Sequence, residues 1–176
     1  MRMNRAMAEV LANVDTKDLT DADIPPMFLA ISNEGWTTTP SGAYVLAALA
    51  ASGPGGTYAD LVHEEVTLNG RGMVDHDLPP KGRERVEPLV RRCLAYARRC
   101  LAGAEEVPVD PMLTAYVSVS ESWTEERTVT AYVTFCRTHP GVSPYVTDPE
   151  DYRHEALLEL VAAAHAGETS IQVNRG

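Results

Sequence analysis

The sequence is short of several things at once. It has three cysteines in 176 residues, an odd number and too few for a disulfide framework, which points to a reducing compartment. Lysine is almost missing: Lys17 and Lys81 are the only two, and the other basic residues are arginine. No long apolar run exists. The longest, Ala43 to Ala51, has nine residues, against the roughly 20 that cross a bilayer, so no membrane span is expected. The opening residues, Met1 to Asp15, read as a short polar helix without the apolar stretch of a signal peptide, and a cytoplasmic location is the expectation. The chain has no GxGxxG, no lysine-bearing phosphate loop and no HExxH, so neither a nucleotide fingerprint nor a zinc-protease helix supports a function. Low-complexity tracts are also missing. With 44% hydrophobic residues the chain has enough apolar material to fold, and its length suits one globular domain.

What is present is acid, unevenly placed. The formal net charge is -10. Residues 1–80 carry -7, residues 81–107 carry +3 and residues 108–176 carry -6, so one basic island lies between two acidic flanks. A chain of this balance does not suit general DNA or anionic-membrane binding, which need clustered positive charge. The same boundary suggests a subdivision into an acidic helical part, 1–80, and a helix–hairpin–helix part, 81–176.

Punctuation by Gly and Pro divides the first half into helices. Asp23-Ile24-Pro25-Pro26 predicts a proline-started helix that stops near Gly35. The apolar residues Ala43–Leu49 predict a buried helix ended at Gly53-Pro54, and Thr57 is a candidate cap for another from Tyr58 to about Leu68. Residues 70–82, with Asp75-His76-Asp77 and Pro79-Pro80, read as a loop. The strongest helical signal runs from Arg83 to Ala104. Val86, Val90, Cys93, Leu94, Ala97, Cys100, Leu101 and Ala104 fall on one face, and Arg85, Arg91, Arg92, Arg98 and Arg99 on the other. Pro88 then belongs in or near the first turn.

Beyond Pro111 the period changes to two. Leu113, Ala115, Val117 and Val119 alternate with polar residues, and so do Val129, Ala131, Val133 and Phe135. These are the strands of a β-hairpin, about 113–122 and 127–137. Inward residues are odd-numbered in both, so cross-strand partners should sum to even numbers and the loop should have odd length. The other face would present Tyr116, Tyr132 and their Ser and Thr neighbours to solvent. Asp148, Pro149 and Gly167 predict a last helix over 149–166, and the tail with Ile171 and Val173 could add a short strand. The fold class is α+β.

Candidate sites follow from residue type. His63 with Asp75, His76 and Asp77 supplies imidazole and carboxylate donors for a metal-dependent hydrolase, if folding brings them within about 4–6 Å. Cys93 and Cys100, a heptad apart, are too distant for a disulfide and read as buried small residues. Cys136 and His139 have the composition of a nucleophile–base pair but only by sequence neighbourhood. The five-arginine face carries the most weight, because arginine binds carboxylate and phosphate bidentately. It should dock on an acidic surface, either the chain's own flanks or those of another copy, with RNA or a phosphorylated ligand as the alternative. The resulting expectation is a non-enzymatic interaction or assembly subunit without a cofactor, such as a phage or other particle component. Its partner would be itself or another acidic protein, bound through Arg85, Arg91, Arg92, Arg98, Arg99, Tyr116 and Tyr132. The rivals are the metal hydrolase and an acidic protein that occupies a nucleic-acid-binding partner.

Overall fold

The computed structural model describes residues 1–51, 57–105, 112–122 and 127–161. Along the chain come β1 (Arg2–Met3), α1 (Arg5–Leu11), α2 (Pro26–Asn33), β2 (Trp36–Thr38), β3 (Tyr44–Leu46), α3 (Leu61–Asn69) and β4 (Arg71–Gly72). They are followed by α4 (Arg83–Glu105), β5 (Leu113–Glu121), β6 (Val129–Arg137) and β7 (Ala156–Val161), with single 3-10 turns at Asp21–Asp23, Ala47–Leu49 and Pro149–Asp151. A five-stranded antiparallel sheet has the order β1-β7-β5-β6-β4, and β2 with β3 forms a separate two-stranded ribbon. The class is α+β with antiparallel sheets, as the sequence suggests, but strands are interspersed among the helices of the first half.

The hairpin has the predicted register. Leu113 lies opposite Arg137, Val117 opposite Val133 and Glu121 opposite Val129, so partners sum to even numbers and residues 122–128 form a connection of odd length. The odd-numbered apolar residues of both strands are buried against α4. That helix has the predicted limits and core face, and it buries more besides. Leu89 and Tyr96 are also fully enclosed, because α2 packs on a second side and sets Phe28 edge-on to the Tyr96 ring at 4.9 Å. Pro88 stands in the second turn, slightly deeper than expected.

Two predicted helices are strands. In place of a helix over Ala43–Leu49, Tyr44–Leu46 pairs with Trp36–Thr38 and only Ala47–Leu49 makes a helical turn. Gly42, at φ +98°, closes the connection in a conformation that side chains with a Cβ resist. The run Tyr44-Val45-Leu46 is buried on every side, and a short apolar run of this kind has no period to tell strand from helix. The helix predicted over 149–166 is overturned for the same reason. Asp148 and Pro149 start a 3-10 turn only, and Ala156–Val161 becomes the strand between β1 and β5, buried up to Leu160. Its nearly continuous apolar sequence is that of a strand covered on both faces. Residues 162–176, with His165, Gly167, Ile171 and Val173, lie outside the described residues, as does the glycine-rich 52–56 segment. The third helix also starts later than predicted, capped by the Asp60 carboxylate on the His63 N–H at 2.8 Å and not by Thr57.

The outer face of the sheet is half covered. Val62 and Val66 of α3, with Val142, Val146 and Tyr152, enclose Tyr116, Cys136 and Leu157 in a second small core. The remaining half, around Ser118, Ser120, Thr130 and Tyr132, has no such cover among the described residues and is partly to fully exposed.

Candidate functional site

The arginine face of α4 does not point into open solvent. The loops on either side of it fold back and meet it with their carboxylates and carbonyls. Arg91 Nε donates to Asp23 Oδ1 at 2.9 Å and Arg91 Nη1 to the Asp15 carbonyl. Arg99 donates from all three nitrogens, to Asp21 at 2.6 Å, Asn33 Oδ1 at 2.7 Å and Ser32 Oγ at 3.1 Å. On the other flank Arg92 holds Asp77 with two parallel bonds, 2.8 and 2.5 Å, and reaches the Val74 carbonyl at 2.7 Å. That guanidinium keeps the Asp77 carboxyl down at about 2. Burial works against the same effect at Asp23, but the Thr20 N–H and Arg91 outweigh it and lower its pKa.

Arg85 is a correction to the solvent-face reading. It is only 3% exposed and serves as an internal strut, donating to the Val129 and Pro79 carbonyls and pairing with Asp75. Tyr116 is another. It is buried beneath Tyr145, whose ring stands edge-on at 5.0 Å. Arg98 differs from the other four: among the described residues no hydrogen bond or ion pair engages its side chain, which is half-buried.

The proposed metal ligands go to other partners. Asp75 and Asp77 are taken by Arg85 and Arg92, while the His63 Nδ1 accepts the Ala59 N–H at 3.4 Å and its ring stands edge-on to Tyr58 at 5.9 Å. Among the described residues no group of three or more His, Cys, Asp or Glu side chains is placed to hold a metal ion. Cys136 and His139 do not form a nucleophile–base pair. Burial pushes the Cys136 thiol up to about 12, and His139 turns to Glu65, with Nε2 3.1 Å from Oε1 but not aligned as a hydrogen bond. Cys93 and Cys100 are buried, and burial raises the Cys100 thiol to about 12.

Two residues that sequence reasoning passed over organise the far side of the sheet. Glu65 and Asn69, one turn apart on α3 and both fully buried, join β3 to the outer edge of β6. Asn69 accepts the Leu46 N–H at 2.9 Å and donates to the carbonyls of Tyr44 and Phe135 at 3.1 and 3.0 Å. Glu65 accepts the N–H groups of Tyr44 and Arg137 at 2.8 and 2.7 Å. Two side chains thus stand where a strand between β3 and β6 would be, and they satisfy edge groups that would otherwise be orphaned. Arg137 then lies over the Tyr44 ring at 5.0 Å, while Trp36 stacks on that ring at 4.9 Å, nearly parallel. The signal for this seam was a polar i,i+4 pair on the helix side that carries Val62 and Val66.

The uncovered half of the sheet's outer face is the other candidate surface. Tyr132 is 39% exposed and Tyr145 38%, and both are held from behind. The Tyr132 hydroxyl lies so close over Gly70 that a Cβ there would meet it at 1.7 Å. Tyr145 rests on Tyr116, receives the Tyr152 hydroxyl on its carbonyl at 3.3 Å, and has its phenol pushed by burial up to about 12. No protein-family model, curated protein or solved structure matches the chain. Among the described residues no helix is long and apolar enough to cross a membrane.

Proposed function

We propose that this protein is a non-enzymatic interaction subunit that associates with further copies of itself through the open half of the sheet's outer face. The observation that carries the reading is the pair of half-exposed tyrosines, Tyr132 and Tyr145, braced against Gly70 and Tyr116. Aromatic side chains already fixed in place lose little freedom on binding, and tyrosine is enriched among the residues that dominate interface energy. Thr130, Ser118 and Ser120 beside Tyr132 supply the polar surround of such a patch. The arginine face supports this choice by subtraction, since four of its five guanidiniums are engaged within the chain.

Native mass spectrometry over a range of protein and salt concentrations tests the reading. Discrete oligomers should form as concentration rises, should persist at high salt, and should be weakened at least tenfold by Tyr132→Ser with Tyr145→Ser. A monomer at every concentration would overturn it. Oligomers that fall apart as salt rises and ignore the tyrosine changes would return the contact to charge pairing.

A further inference from the structure

A concavity of about 580 Å³ opens between α4, residues 19–21 and the C-terminal end of α2. That volume is in the range of small-molecule sites. Its walls include Arg98 and Ala102 of α4, Leu19, Thr20, Asn33 and the Arg99–Asp21 pair. The pair is neutral as a unit, so Arg98 gives the concavity a net positive charge within an acidic chain. Every other arginine on this helix face has been given a carboxylate or a carbonyl by the fold. Arg98 has neither among the described residues, although it is withdrawn from water far enough for burial to lower its pKa. A half-buried cation without a counter-charge is an unfavourable arrangement that an external anion would relieve.

The neighbouring donors indicate which anion. Asn33 has its Oδ1 committed to Arg99, which leaves its NH2 free to donate. The Thr20 hydroxyl accepts from the Ala22 N–H at 3.3 Å and retains its own proton for donation. With the guanidinium fork this makes three separate donor groups on one concavity. A carboxylate presents two oxygens and a phosphate monoester three.

We propose that this concavity binds small molecules carrying a phosphate group, with Arg98 as the principal contact to the anion and Thr20 and Asn33 as the supporting donors. The site is independent of self-association, because it lies on the α4–α2 side of the molecule and the tyrosine patch lies on the outer face of the sheet.

Isothermal titration of the full chain, in a buffer free of phosphate, with phenyl phosphate, inorganic phosphate and benzoate provides the test. Phenyl phosphate should saturate a single site and bind at least several-fold more tightly than benzoate, and inorganic phosphate should compete with it. Arg98→Ala should weaken phenyl phosphate at least tenfold, and Arg98→Lys should weaken it less. Ala102→Glu, at an exposed position one turn along, brings a carboxylate to Arg98 from within the chain and should abolish binding without disturbing the core. No saturable binding of either phosphate overturns the proposal, and so does unchanged affinity in Arg98→Ala or Ala102→Glu. Equal affinity for benzoate and phenyl phosphate overturns the assignment to phosphate.

Discussion

Two helices of this chain carry polar seams, and the two hold the structure in different ways. On α3 the seam is short, dry and made of two side chains. Glu65 and Asn69 are completely enclosed, and their bonds to backbone groups replace partners that a neighbouring strand would have supplied, while Glu65 is also paired with Arg137 Nε at 3.1 Å. On α4 the seam is long, wet and made of charge. Arg91 and Arg99 are 23% and 37% exposed, and the carboxylates they meet, Asp23 and Asp21, are 18% and 58% exposed. A buried donor or acceptor that loses its partner costs about 1–3 kcal/mol, whereas an exposed ion pair contributes about 0–1 kcal/mol. The α3 seam therefore decides whether the ribbon of β2 and β3 belongs to the fold, and the α4 seam decides how closely acidic loops lie on a helix that stands without them.

Breaking the α3 seam should have the largest effect. Asn69→Ala strands the Leu46 N–H and the carbonyls of Tyr44 and Phe135 at once. A loss of roughly 3 kcal/mol or more in urea unfolding is expected, since three buried groups lose a partner. Asn69→Asp sharpens the point. It keeps the acceptor for Leu46 but turns a carboxylate toward two carbonyls, so it should be at least as damaging as alanine despite its near-identical shape. A loss below about 1 kcal/mol for both variants would show that water fills the seam and that its bonds are replaceable.

Breaking the α4 seam at Arg99 should cost much less. Arg99→Ala removes the bonds to Asp21, Ser32 and Asn33, all at partly or fully exposed positions, and a loss of about 0.5–1 kcal/mol is expected. Hydrogen exchange locates the effect. Amides of residues 19–24 should exchange faster while those of β5 and β6 stay protected, because a loop is released and the core is not. Equal loss of protection in the sheet would mean that the charge seam holds the core as well.

The same contrast governs how much of the molecule could be read from its sequence. Where a pattern is sustained, over α4 and over the nine residues of each hairpin strand, periodicity gave limits, faces and even the parity of the register. Where an element is short and buried on all sides, as at Tyr44–Leu46 and Ala156–Val161, burial erases the polar half of the pattern. A strand then resembles a buried helix. The arginine face was legible as a charge feature, and so was the acidic flank that supplies its partners Asp21, Asp23, Asp75 and Asp77. Their pairing was not legible, because it depends on which loop the tertiary fold lays across α4. Glu65 and Asn69 were legible only as a polar i,i+4 pair near the end of a predicted helix. Nothing local in the sequence reveals that two strand edges would converge on them.

The smallest expected effect concerns pH, and it separates the two seams by their chemistry. Asp77 in the folded chain titrates at about 2 because Arg92 is bonded to it, and Asp23 is also shifted downward. An unfolded aspartate titrates near 4. Between those limits the unfolded chain binds more protons than the folded one, so stability falls as pH falls. The contribution of these pairs is complete above about pH 4 and is lost progressively toward pH 2. Asp77→Asn removes one of these titrating groups, so its urea midpoint should decline less than that of the unaltered chain between pH 5 and pH 2.5. The difference should shrink in 1 M salt, where charges at this exposure are screened beyond about 3 Å. Parallel pH curves for the two proteins would show that the Arg92–Asp77 pair adds nothing to folding, and that the α4 seam is held by its carbonyl bonds instead of its charges.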